Sequence, residues 1–157
     1  MGLDMYLTAS KCISGGEFAD EKEKKQCGDV MKAFGLDVSK SQSRAVTVSL
    51  NIAYWRKAKQ VHAWFVREVQ GGENDCNRYE VSRAQLVSLL TLCKEALANR
   101  ESAAAILPTS SGFFFGCTEY GDYYFSDLES TVEQIGSILN NSIFEEEGWN
   151  FKYRSSW

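Results

Sequence analysis

The stretch VTVSLNIAYWRKAKQVHAWFVREVQGG, residues 46–72, changes its hydrophobic period partway along. Val46, Val48, Leu50 and Ile52 alternate with Thr47, Ser49 and Asn51, a period of two that predicts a strand with those apolar residues on one face. Past Tyr54-Trp55-Arg56-Lys57 the spacing turns helical. Ala58, Val61, Phe65 and Val69 make a buried stripe, with Arg56, Lys59, Ala63 and Arg67 near the opposite face, and Gly71-Gly72 stops the helix.

Outward from this segment the same two periods recur. Leu3, Met5 and Leu7 alternate with Asp4, Tyr6 and Thr8, and Trp149, Phe151 and Tyr153 alternate with Asn150, Lys152 and Arg154, so a strand is expected at each end. The charged run within residues 15–26 reads as a solvated helix face. It leads into Cys27, Val30, Met31 and Phe34 at helical spacing, with Gly35 placed to end that helix. Ser82 with Gln85 forms a capping box ahead of Leu86, Leu89, Leu90, Cys93 and Leu97. Ser126 with Glu129 suggests a second, ahead of Leu128, Val132, Ile135 and Leu139. The aromatic-rich block 113–125 between these helices reads as a hairpin or a strand and turn. These elements predict an α+β fold: a mostly antiparallel sheet packed by three or four helices, with residues 1–157 forming a single domain.

Length and composition narrow the class. A chain of 157 residues with 44% hydrophobic and 24% charged residues can bury a sizeable core without a staple. The net charge of −4 disfavours double-stranded DNA as a partner. No apolar run is long enough for a bilayer span and no signal-peptide pattern opens the chain, so no membrane partner is expected and the cytoplasm is the expected location. Cys12, Cys27, Cys76, Cys93 and Cys117 include no C-x-x-C pair, and His62 is the only histidine. A zinc set is therefore not expected, nor is a bound cofactor; the thiols read as free in a reducing compartment.

Candidate site residues come with two readings each. In Tyr54-Trp55-Arg56-Lys57, two rings and two cations stand where a strand meets a helix. Trp55 could stack on a base while Arg56 forks onto phosphate, or Trp55 could be core and the cations merely solvated. His62 titrates near neutrality, yet it lies at the edge of an apolar stripe beside cations that would lower its pKa, which suits a hydrogen-bonded core residue as well as a proton carrier. Glu119 and Asp122 could act as acid and base, or serve a turn. Glu73, Asn74 and Asp75 lack calcium-loop spacing and read as a loop. Tyr120 and Trp157 are secondary candidates, either as hot-spot aromatics or as cover for the sheet. No nucleophile elbow or phosphate-binding glycine loop is present.

The residues also carry a resemblance. Met1-Gly2-Leu3-Asp4-Met5-Tyr6-Leu7, Tyr54-Trp55-Arg56-Lys57-Ala58, Val61-His62, Trp64-Phe65-Val66, Ser111-Gly112-Phe113-Phe114-Phe115-Gly116 and Ser155-Ser156-Trp157 resemble, nearly end to end, a family of small proteins of bacteriophages and phage-derived genome regions. Lys59 stands where that family has Asn, and Ala53 where it has Gly. The resemblance implies an accessory, anti-defence role acting on a host cell. The expected function is non-enzymatic: sequestering a nucleotide-like anionic ligand, or blocking a host protein. A small hydrolase or transferase for a nucleotide-like substrate is the alternative, with Arg56 and Lys57 stabilising charge and His62 or Glu119 moving a proton.

Overall fold

The computed structural model describes residues 2–37, 44–110 and 119–157. The order is β1 (Asp4–Ser14), α1 (Glu21–Ala33), β2 (Ala45–Arg56), α2 (Lys59–Glu68), β3 (Tyr79–Val81), α3 (Arg83–Ala98), α4 (Ala103–Ile106), α5 (Asp122–Asn140) and β4 (Trp149–Ser156). Single 3-10 turns precede α4 at Arg100–Ser102 and follow α5 at Ser142–Glu145. The strands form one antiparallel sheet in the order β2-β1-β4-β3, giving an α+β fold. β3 is an edge strand paired to β4 with Tyr79 opposite Tyr153 and Val81 opposite Phe151.

Two compact units divide the chain, one of Met1–Ala9 with Asn51–Trp157 and one of Ser10–Leu50. The larger unit holds the main core. Leu3 just before β1, Met5 and Leu7 from β1, Trp55 from β2, Trp64 and Phe65 from α2, Leu86 and Leu89 from α3, Leu128 and Ile135 from α5, and Tyr153 from β4 are all buried there. The rings of Phe65 and Tyr153 stack with centroids 3.8 Å apart. The smaller unit has its own core of Ile13, Cys27 and Met31, backed by Val46 and Val48.

The long strand β2 departs from the predicted alternation. Val46 and Val48 are half-buried on one parity, Leu50 is exposed, and Ala53 and Trp55 are buried on the other parity. Backbone pairing accounts for it. The Lys57 N–H donates to Leu3 O, whereas the Gly15 N–H donates to Arg44 O, so between those points β2 has one residue more than β1. One extra residue is a β-bulge, and a one-residue slip exchanges the two faces of the strand. β1 keeps Met5, Leu7, Ala9 and Ile13 buried on one parity, with Lys11 half-buried between them.

Helix ends follow local chemistry. Asp20 caps α1 by accepting from the Glu23 N–H at 2.7 Å, so the charged run forms the first turns of this helix. Gly35 closes it at φ 73°, a left-handed conformation that glycine adopts without steric cost. Phe34, expected on the apolar stripe, is exposed at the C-cap. The Ser82 box is complete: Ser82 Oγ accepts from the Gln85 N–H at 3.2 Å and Gln85 Oε1 accepts from the Ser82 N–H at 2.9 Å.

Three expectations need correction. The Ser126–Glu129 pair does not open a helix, because α5 starts at Asp122 with Gly121 as its N-cap. The earlier start lets Tyr124 and Phe125 bury their rings. Burying a large side chain stabilises by about 1.5–3 kcal/mol against about 1 for a cap. For the same reason residues 122–125 are helix and not part of a hairpin; Phe113, Phe114, Phe115, Gly116 and Cys117 lie outside the described residues. Lys59 is not on a solvated face but is 2% exposed. Among the described residues no helix is long and apolar enough to cross a membrane.

Replacing Ser82 with alanine removes the half of the box in which Oγ accepts from the Gln85 N–H and keeps the half in which Gln85 Oε1 accepts from the backbone N–H of residue 82. It is expected to lower stability by about 1 kcal/mol, seen as a fall of roughly 2–4 °C in melting temperature; no change in a thermal melt would remove the box from the determinants of α3.

Candidate functional site

The sequence candidates scatter into three environments. Trp55 and His62 go to the core, Tyr54 goes to the sheet surface, and Arg56, Lys57 and Glu119 line a cleft.

Trp55 is 3% exposed, its indole Nε1 donates to Thr131 Oγ1 at 2.9 Å, and its ring lies 5.9 Å from Phe65. Strand alternation through Arg56 sends it inward, so it is a core residue and offers no stacking platform. His62, at 1% exposure, is likewise enclosed. Its Nδ1 lies 2.7 Å from Tyr153 Oη and its Nε2 lies 3.0 Å from Asn74 Oδ1. Asn74 Oδ1 only accepts, so Nε2 carries the proton and Nδ1 accepts from the tyrosine. Burial lowers the His62 pKa, opposed by the Asn74 hydrogen bond. It is absent from the cleft described below, which removes it as a proton carrier there. Trp157, half-buried, meets the His62 ring edge-on at 5.8 Å and is absent from that cleft too.

Tyr54, 45% exposed, donates its phenol to Asp4 Oδ1, and that bond raises the phenol pKa. Its ring is 5.3 Å from Tyr6, whose other neighbour is the Arg154 guanidinium, 5.7 Å from the ring centre. The Tyr54 backbone N–H donates to Gln134 Oε1 at 2.8 Å, tying β2 to α5. The Asp75 carboxylate accepts from the Asn77 N–H, the Asn77 amide and the Tyr79 hydroxyl, so the 73–75 segment is a self-capped loop.

The cleft has a volume of about 610 Å³. Arg56, Lys57, Lys59 and Gln60 from the β2–α2 turn line one side; Gly121, Asp122, Tyr123, Tyr124 and Asp127 from the start of α5 line another; Thr109 and Glu119 complete it. Lys57 makes the turn possible in a left-handed conformation, φ 60°, unusual for a side chain other than glycine. A Cβ on Gly2 would lie 3.1 Å from Lys57 Cε, so the lysine stem runs close against the Gly2 backbone. Arg56, with its side chain 64% exposed, approaches Asp4 at 3.9 Å, a distance too long to hold the guanidinium firmly. Tyr120 stands beside the cleft: its hydroxyl accepts from the Thr109 N–H at 3.1 Å and its ring lies 4.9 Å from Tyr124.

Sequence reasoning missed three cleft residues. Gln60, 2% exposed, donates from Nε2 to Tyr124 O and to Asp127 Oδ2, both at 3.2 Å. Burial raises the Asp127 pKa, opposed by the Gln60 hydrogen bond. Tyr123 presents a ring almost fully open to solvent. These partners are more than 60 residues apart in the chain, and no local pattern joins them.

A second cavity of about 420 Å³ lies by β3, the start of α3 and β4, lined among others by Arg83, Phe144 and Trp149. Arg83 donates to Leu139 O at 2.6 Å. Burial alone pushes the Cys93 thiol up to about 12, which disfavours its thiolate. Among the described residues no group of three or more His, Cys, Asp or Glu is arranged to hold a metal ion.

No family model, curated protein or solved structure matches the chain.

The buried His62 pair makes stability sensitive to pH. With its pKa lowered below the ordinary 6.5, the neutral ring is favoured in the fold. Its contribution is present above about pH 6.5 and is lost as the pH falls towards the lowered value. Urea unfolding is expected to show stability falling from pH 7.5 to 5.5, with a smaller slope in His62→Gln; equal slopes would show that another group carries the titration.

Proposed function

We propose that this protein binds a small anionic, nucleotide-like ligand in the cleft between the β2–α2 turn and the first turn of α5. The observation that supports the reading is the convergence of Arg56, Lys57 and Lys59 in one cleft of about 610 Å³. That volume is within the range of small-molecule sites. Lys59 is largely withdrawn from bulk water, where its field is less screened by salt. Among the described residues Arg56 meets Asp4 in a long ion pair, which leaves its guanidinium able to fork onto phosphate. In the phage setting that the sequence resembles, such binding would sequester a host signal.

A second reading is catalysis. Glu119 lines the same cleft as Arg56, so a carboxylate and a charge-stabilising cation share the space a substrate would fill. In that reading Glu119 moves a proton while Arg56 and Lys57 hold the developing negative charge. His62 takes no part.

A thermal-shift screen with nucleotides, cyclic oligonucleotides and nucleotide sugars tests both. A ligand at about 100 times its dissociation constant adds roughly 2.7 kcal/mol, which is several degrees for a domain of this size. Arg56→Ala is expected to abolish the shift while leaving the unliganded melting point nearly unchanged, since an exposed pair at 3.9 Å contributes little. Product formation that disappears in Glu119→Ala would favour the enzyme. A flat screen would overturn both readings and favour a protein target.

A further inference from the structure

The cleft has two walls of opposite chemistry. Arg56, Lys57 and Lys59 stand on one, while Asp122 and Asp127 stand on the other beside Tyr123. A ligand made only of phosphate would bring its charge against the two carboxylates. A ligand matched to both walls is anionic at one end and carries a row of N–H donors at the other.

The α5 wall specifies that second end more closely. Asp127 is oriented by Gln60, whose own amide is fixed by burial and by its bond to Tyr124 O. That contact engages Asp127 Oδ2; Oδ1 has no partner among the described residues. An ionised carboxylate only accepts, with about four lone-pair sites on its two oxygens, so most of its capacity is unused. Tyr123 precedes it by four residues, which puts both on one face of the helix. The Tyr123 ring is 89% exposed. A flat, uncovered ring thus stands next to an acceptor-only group.

That arrangement suits a base that stacks on the ring and turns adjacent donors toward the acid. Guanine offers N1–H and N2–H₂ side by side. Adenine sets its N1 acceptor beside its amino donor, and a carboxylate repels the former. We propose that the ligand is a guanine nucleotide, with its base on Tyr123, its N1–H and N2–H₂ donating to Asp127, and its phosphate at Arg56 and Lys57. This rests on the binding reading above and adds the identity of the base. Donors from the base favour the ionised acid, so affinity should weaken as the pH falls through the raised pKa of Asp127.

The test is calorimetric titration of GMP, AMP, XMP and inorganic pyrophosphate into the full chain and its Asp127→Asn, Tyr123→Ala and Arg56→Ala variants. Asparagine keeps an acceptor for Gln60 but pairs an acceptor with a donor, which fits the N1–H and O2 of xanthine and not guanine. Wild type is expected to prefer GMP over AMP and XMP by about tenfold or more, the scale of one good bidentate contact. Asp127→Asn should reverse the order to XMP over GMP. Tyr123→Ala, an exposed position, should weaken every nucleotide and leave pyrophosphate unchanged. Equal binding of GMP and AMP by wild type, or an unchanged order in a folded Asp127→Asn, overturns the guanine assignment while pyrophosphate binding lost in Arg56→Ala sustains the anion site. Absence of binding by all four compounds overturns both. Should Asp127→Asn fail to fold, the wild-type ranking together with Tyr123→Ala decides the matter.

Discussion

The handover from β2 to α2 is the constraint on which the rest depends. Strand alternation carries Trp55 inward to Thr131 and Phe65 and leaves Arg56 outside. Lys57 then adopts φ 60°, its N–H still bonded to Leu3 O at 2.8 Å, and α2 begins two residues later. A left-handed conformation in a non-glycine residue costs about 1–2 kcal/mol. Burial of the Trp55 indole, worth about 1.5–3 kcal/mol, is enough to offset it. The same abrupt turn brings Arg56, Lys57, Lys59 and Gln60 to one wall of one cleft.

Polar groups in the larger unit divide into a closed system and an open one. His62 and Tyr153 pair inside the core, Asn74 reaches the His62 ring from an exposed loop, and burial favours the neutral imidazole. Such a triad specifies packing, since its donors and acceptors match only when α2, the 71–78 loop and β4 are all in place. The cleft differs. Among the described residues Arg56 has a long ion pair with Asp4, and the Asp127 carboxylate accepts from the buried Gln60 amide. Gln60 already orients the Asp127 carboxylate, so a ligand that uses it avoids that ordering cost, whereas the exposed Arg56 would be ordered on binding.

The smaller unit follows from a similar economy of pattern. One extra residue in β2 relative to β1 changes which side of the strand is apolar. Val46 and Val48 then back Ile13, Cys27 and Met31, while Ala53 and Trp55 serve the main core. A single strand thereby supplies two cores, and the apolar run of Val46, Val48, Leu50 and Ile52 does not mark which face serves which core.

Much of the architecture was legible in residue order because the governing interactions are local. Alternation marked β1 and β4, helical spacing marked α2 and α3, and Ser82 with Gln85 marked the start of α3 to the residue. The Arg56-Lys57 pair was legible as a cleft candidate for the same reason, being where two periods meet. Tertiary structure decided what depends on distant partners. It placed Trp55 and His62 in the core, buried Lys59, and started α5 at Asp122 in preference to the Ser126 cap because Tyr124 and Phe125 had a core to enter. It also joined Gln60 to Asp127 across 67 residues. Periodicity records which side of an element avoids water; which side chains meet across elements is set by packing, and the chain carries no local mark of it.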